Sequence, residues 1–310
     1  MSLARKFHPL TSRDRQILTS LWKWKLGTTA SIGEEFFNGA RTDAAHSRLR
    51  ILHAAGYVEP HRINGNLCFG WTLGPAGYAA LRSTLPVLRE DGYRSETLWH
   101  DYWCTVLQRG PWIAETPSWV EQVSEQELRR VHAECLPRWV PRTTGHRPDG
   151  YLRLATPAGE RVLAFEAELT RKRLADYVLV AHFYQYDPGI DAIVWLLPSK
   201  TDAAWLRKAL SEAAPATADR HHFLVLQDFV ALHWHATFSA EPRTDLSILK
   251  LMPEGAPPIP LTGETPSLMN TWKRPYRANS SADPRSALDL DRVVLLPTRP
   301  SFFPNRESQQ

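Results

Sequence analysis

The chain has 310 residues, a mass of 35.3 kDa and a mild net charge of +4, from 37 Lys or Arg against 33 Asp or Glu. With 43% hydrophobic and 23% charged residues it reads as globular, neither fibrous nor wholly disordered, and its length predicts two domains. No run of 18 uncharged apolar residues marks a membrane span, and the opening stretch MSLARKFHPLTSRDRQ lacks the apolar core of a signal peptide. The three cysteines, Cys68, Cys104 and Cys135, are widely spaced and lack Cys-x-x-Cys spacing, so neither a disulfide framework nor a structural zinc site is predicted. Free thiols in a reducing cytosol account for them.

Charge is unevenly spread. Residues 1–82 carry eleven Lys or Arg against five Asp or Glu, a net of +6, which leaves about −2 for the rest. A basic first domain on a near-neutral body points to a polyanionic partner.

In residues 8–85 the pattern predicts a helix from Thr11 or Ser12 to about Lys25, with Ile17, Leu18, Leu21 and Trp22 at helical spacing. A short second helix ends near Phe37. A third runs from about Thr42 to Ala55, with Ala45, Leu49, Leu52 and His53 turned inward. Two extended pieces follow, joined through Asn64-Gly65, a strong hairpin signal, and a last helix begins at Pro75. Three helices and a hairpin outline a winged helix-turn-helix. Its third helix would enter the major groove of double-stranded DNA, with Arg41, His46, Arg48 and Arg50 on or near that helix and Arg62 at the wing. The competing use of this small fold is a protein–protein module. A homodimer on a two-fold site follows the habit of the motif.

Residues 82–92 read as a linker and residues 93–245 as the second domain. A helix is predicted over 95–108, with His100 beside Asp101; the pair suits metal or acid–base chemistry, or simply a helix surface. Val120 to Val131 reads as a polar surface helix. The stretch from Arg147 to Tyr186 then gives a strand from Tyr151 to Leu154, a turn at Thr156 to Gly159, a strand from Arg161 to Glu168 and a helix from Thr170 to about Tyr184. Glu166 and Glu168 are two apart, so on a strand both carboxylates face one side, and normal pairing brings Asp149 beside them. Three converging carboxylates repel one another unless something positive joins them. Mg²⁺ or Mn²⁺ bound by oxygens of Asp149, Glu166 and Glu168 is one answer; a solvated strand edge is the other. Beyond it, strands are predicted at 192–197, 223–227 and 230–238, with a helix at 203–213 between the first two. His233 and His235 share a face without a third ligand. Residues 246–310 read as a proline-rich, partly irregular C-terminal extension with one strand candidate, Val293 to Leu296.

The Arg147–Tyr186 block resembles the PD-(D/E)xK nuclease superfamily, in which Pro-Asp precedes an acidic strand and a helix. The resemblance assigns Asp149 and Glu166 to the two acids and puts Glu168 where the superfamily has its lysine. Lys172, just inside the predicted helix, can reach back as a displaced substitute. The whole order is similar to the replication-relaxation family of plasmid and integrated-element proteins, through Leu10-Thr11 with Asp14, Arg48-Leu49 to Gly56, Leu73-Gly74-Pro75-Ala76-Gly77, His100, Pro148-Asp149, Phe165-Glu166-Ala167-Glu168 with Thr170, and Tyr184. That resemblance covers about residues 10–210. It implies an α/β protein: an N-terminal winged helix followed by a PD-(D/E)xK-like mixed-sheet domain, acting with relaxosome or replication proteins. Three functions stay open: a DNA-binding accessory or regulatory protein of a mobile element with weak or no catalysis, a Mg²⁺-dependent DNA endonuclease using Asp149, Glu166, Glu168 and Lys172, and a plain transcriptional regulator.

Overall fold

The computed structural model describes residues 9–37, 42–63, 68–110, 112–113, 115–142, 145–157, 159–239, 246–253 and 256. The chain begins with α1 (Ser12–Trp24), which starts at a capping box: the Thr11 hydroxyl accepts from the Asp14 N–H while the Asp14 carboxylate accepts from Thr11. β1 (Gly27–Thr28), α2 (Thr29–Phe36) and α3 (Thr42–Ala54) follow, then β2 (Val58–Ile63), β3 (Cys68–Leu73) and α4 (Pro75–Leu81). The three strands form an antiparallel sheet in the order β1-β3-β2. Helix α3 buries Ala45, Leu49 and Leu52 against Ile17, Leu18 and Leu21 of α1. His53, expected inward, is exposed at the end of α3, where its Nδ1 lies 3.0 Å from Val58 O. The Asn64-Gly65 turn lies outside the described residues.

α4 starts against bare backbone. Gly74 N–H donates to Tyr57 O at 2.8 Å and Ala76 N–H to Gly56 O at 3.2 Å, so the helix docks on the turn that ends α3. Both glycines of the Gly74-Pro75-Ala76-Gly77 segment are explained by this approach.

The second part is a five-stranded mixed sheet in the order β4-β5-β6-β7-β8, comprising β4 (Val120–Ser124), β5 (Gly150–Thr156), β6 (Gly159–Ala167), β7 (Ala192–Leu197) and β8 (His221–Val225). β5 runs antiparallel to its neighbours β4 and β6; β6, β7 and β8 are parallel. α5 (Leu98–Arg109) precedes β4, and α6 (Glu125–Arg130) follows it; α7 (Leu174–Gln185) and α8 (Lys200–Ala213) make the two crossovers, and α9 (Leu226–Leu232) follows β8. One face of the sheet, with Leu152, Leu163, Phe165 and Val194, packs on Tyr102, Trp103, Val106 and Leu107 of α5 and on Phe229 of α9. The other, with Tyr151, Ala164, Ile193 and Trp195, packs on α7 and α8. With both faces covered, β7 is apolar throughout.

Several expected elements differ. Val120 to Val131 is a strand and then a short helix, because Ser124 and Glu127 form a capping box that starts α6 after the strand. Leu226 to Leu232 is helical where strands were expected, and Val230 to Phe238 therefore crosses a helix end and the tight turn His233–His235. α7 starts at Leu174, so Lys172 lies in the segment before the helix. Leu246 to Pro253, assigned from sequence to the extension, inserts Ile248 and Leu251 into the core under α5 and α9. Val293 to Leu296 falls outside the described residues. Among the described residues no helix is long and apolar enough to cross a membrane.

The N-terminal helices pack directly on the sheet part. Lys25, 6% exposed, sets its Nζ between Asp101 of α5, at 3.1 Å, and Glu125 of α6. The Arg109 guanidinium pairs with Glu35 at 2.9 Å and sits over the Trp24 ring. The Trp22 indole N–H donates to Gly92 O at 3.2 Å.

Candidate functional site

β6 carries the acids to the edge where β5 begins. Asp149 immediately precedes β5; its N–H donates to Phe165 O at 3.0 Å, and its Oδ2 accepts from the Ala167 N–H at 2.7 Å. Helix α5 holds the Asp149 main chain as well, through Gln108 Nε2 to Asp149 O at 2.6 Å. Glu166, on the α7 side of the sheet, is 5% exposed; its Oε1 accepts from the Tyr184 hydroxyl at 2.5 Å and pairs with His146 Nε2 at 2.6 Å. Glu168, also 5% exposed, meets Lys172 Nζ at 2.7 Å. Glu166, Glu168, Lys172 and His146 line one cleft of about 220 Å³, with Tyr177 and Trp195 in its wall. Glu166 and Glu168 do share a side, and Lys172 reaches it from the loop.

Asp149 faces the other way. Its Oδ2 lies 3.4 Å from His100 Nε2 of α5. Thus His100, read from sequence beside its neighbour Asp101, finds its closest carboxylate 49 positions along the chain. No local spacing encodes that contact. His146 was missed outright; its only sequence signal is a histidine three residues before the Pro-Asp acid.

The electrostatics follow from this pairing. Burial pushes the Glu168 carboxyl up, the charges of Glu166 and Asp149 add to the effect, and Lys172 opposes without reversing it. Burial works against the charged Lys172, but its hydrogen bond to Glu168 and the charges of Glu168, Glu166 and Asp149 raise it overall. Burial alone would raise Asp149; the His100 hydrogen bond and charge, the Ala167 N–H and Lys172 bring it below the usual carboxylate range. His146 loses to burial and gains more from Glu166 and Asp149, so its pKa is raised. A raised folded pKa stabilises the fold fully below the unfolded histidine value near 6.5 and loses that contribution as pH rises through the folded value. Chemical denaturation from pH 6 upward is therefore expected to show a decline that His146→Gln removes; an unchanged pH dependence in the variant would contradict the pairing.

A hard divalent cation needs several oxygens converging at about 2.0–2.6 Å on one point. Asp149, Glu166 and Glu168 do not offer this as placed. Among the described residues the trio whose ligand atoms lie within 4.8 Å of one another is His100, Cys104 and Asp149. Each acid instead has a partner supplied by the chain.

Of the residues expected to contact DNA, Arg50 is exposed on α3 and Arg62 is exposed on β2, one residue from its end at the hairpin. His46 is half-buried, edge-on to Trp71 at 6.1 Å. Arg48 turns to α1: its Nε donates to Asp14 Oδ1 at 2.8 Å and its Nη2 to Asp14 Oδ2, a bidentate pair with a carboxylate that is 1% exposed. Arg41 lies outside the described residues. A separate cleft of about 470 Å³ is lined by Arg89, Arg142 and Arg147 and shares Gly145 and His146 with the acidic cleft. Arg89 and Arg142 spend hydrogen bonds on backbone carbonyls, which leaves their charge standing. Arg147 has no ion-pair partner among the described residues, and burial together with the Arg89 and Arg129 charges lowers its pKa against the pull of Glu125 and Glu90.

Compared with protein-family models, curated proteins and solved structures, the chain matches none.

Proposed function

We propose that the chain is a DNA-binding accessory or regulatory protein of a plasmid or integrated mobile element, acting in replication or mobilisation. In this reading residues 12–81 are a winged helix and the mixed sheet is a PD-(D/E)xK-like body with weak or no catalysis. The observation that carries it is the state of the acids beside the mixed sheet: Glu166 is engaged by His146 and Tyr184, Glu168 by Lys172, and Asp149 by His100. The repulsion that would call for a bound cation is already relieved within the chain.

Supporting the DNA reading, the element order helix, strand, two helices, two strands with β3 central fits what a winged helix requires. The outer side of α3 exposes Ala44, Ser47 and Arg50, with the acid Asp43 in the first turn and Ile51 beside Arg50. Arg48 then acts by fixing α3 against α1. The arginine cleft of the body offers cationic charge toward a phosphodiester backbone. Fluorescence anisotropy with duplex DNA over a salt series tests this. Arg50→Ala and Arg147→Ala are each expected to weaken binding and to reduce the salt slope by about 1. Arg48→Ala is expected to act through lost stability. Absence of duplex binding at low salt would overturn the reading.

A second reading, a Mg²⁺-dependent endonuclease, is favoured by one contact: Lys172 Nζ lies 2.7 Å from Glu168, so a cation occupies the acidic cleft despite its displaced position in sequence. Metal-dependent cutting of DNA separates the two.

A further inference from the structure

We propose that His100, Cys104 and Asp149 form a binding site for a borderline transition-metal ion, with Zn²⁺ the expected occupant. The proposal uses His100 and Asp149, which pair without an ion in the reading above; metal binding is tested on the full chain without DNA, so the two can fail separately. His100 and Cys104 stand four apart on α5 and therefore share a face of that helix. The chain brings Asp149 to the same face by docking the start of β5 under α5 through Gln108.

The spacing is that of metal ligands. Around a tetrahedral zinc, with sulfur at about 2.3 Å and nitrogen or oxygen at about 2.0–2.2 Å, the S–N edge is roughly 3.6 Å and the N–O edge roughly 3.4 Å. Here Cys104 Sγ lies 3.7 Å from His100 Nε2 and 3.4 Å from its Nδ1, and Asp149 Oδ2 lies 3.4 Å from Nε2. The third edge lies within 4.8 Å and closes to roughly 3.6 Å with about an ångström of side-chain movement. One imidazole nitrogen, one thiolate and one carboxylate oxygen make a donor set suited to zinc and unsuited to magnesium.

Outer contacts support the three ligands as they do at metal centres. Asp101 Oδ1 stands 3.8 Å from His100 Nδ1, and Asp101 is held by Lys25 and Ser95. Asp149 is oriented by the Ala167 N–H. A void of about 10 Å³, lined by Cys104, Gln108 and Asp149, adjoins the cluster, close to the space that one small bound species needs. In its wall Gln108, 1% exposed, holds a buried Oε1 without a hydrogen-bond donor. Three protein ligands leave a fourth position for water or for an oxygen of a bound molecule.

Binding consumes the thiol proton: Cys104 ligates as thiolate, His100 as neutral imidazole, and the released protons pass to solvent. The full chain, stripped with a chelator and titrated with Co²⁺, tests the site. One equivalent is expected to give a thiolate-to-cobalt charge-transfer band with tetrahedral visible absorption, and one equivalent of Zn²⁺ is expected to abolish both. Cys104→Ser is expected to lose the charge-transfer band, while Cys135→Ser, at an exposed thiol, keeps it. No charge-transfer band in the unsubstituted chain would overturn the proposal, as would a band that survives Cys104→Ser and vanishes with Cys135→Ser. The titration of the unsubstituted chain needs no variant to fold.

Discussion

Replacing Lys25 with methionine is expected to lower the unfolding free energy by about 3–5 kcal/mol, as when one partner of a buried ion pair is removed. The amine sits between Asp101 and Glu125, and the Lys25 and Asp101 side chains are only 8% and 5% exposed. Burial works against its charge, but the two carboxylates more than reverse the effect, so its pKa is raised. Without Nζ the two acids face each other in poor solvent. Lys25 caps α1 at φ 62°, in the left-handed region where glycine is usual, at a cost of roughly 1–2 kcal/mol for an L-residue. Methionine keeps that backbone cost and removes only the charge. Lys23→Ala is the control: Lys23 pairs with Glu127 at 3.1 Å with exposures of 28% and 22%, and the expected loss is about 1 kcal/mol or less. Urea unfolding reads both, as a fall in midpoint at unchanged slope. Equal midpoints for the two variants would show that Lys25 does not join α1 to α5 and α6 as described.

Gly77→Ala is expected to cost about 1–3 kcal/mol or more, the range for overpacking a tight site, with Gly74→Ala similar. A Cβ on Gly77 would run into the Tyr57 carbonyl and come within 2.8 Å of Leu73 Cδ1; one on Gly74 would stand 2.5 Å from Gly56 O. The obstacle in both is backbone, which no rotamer change relieves. The expected damage is local. α4 should lift from the turn at Gly56-Tyr57, seen as faster amide exchange at Gly74 and Ala76, whose N–H groups bond that turn. Gly159→Ala, with nothing near its Cβ position but φ at +156°, is a comparison in which no contact is lost. Unchanged exchange in Gly77→Ala would contradict the packing of α4.

Elements with strong local signals were readable. The helix start at Thr11 or Ser12, the alternation and turn of β5 and β6, and the uniform apolar run of β7 each follow from patterns a few residues long. β4 was not, because Glu121 is exposed and Gln122 half-buried, so its apolar contribution is Val120 and Val123 alone, and a helix-start motif adjoins it. α9 was hidden because Phe229, Val230 and Leu232 favour strand and helix alike over so short a span. Within the site, the two-residue spacing of Glu166 and Glu168 placed both carboxylates in one cleft. What joins them was not readable, since His146, Tyr184 and His100 reach the acids across separations of 20, 18 and 49 residues. Cys104 shows the same limit: cysteine spacing is silent on a ligand set made of one helix and one strand edge.

The central claim is that the acids are occupied by the chain's own cations and do not cut DNA. Incubation of supercoiled plasmid with the full chain and Mg²⁺ or Mn²⁺, with binding followed on the same samples, tests it most directly. The expected result is bound plasmid with no nick or break, and the same binding in Asp149→Ala and Glu166→Ala. Metal-dependent nicking that either substitution abolishes would contradict it and establish the endonuclease.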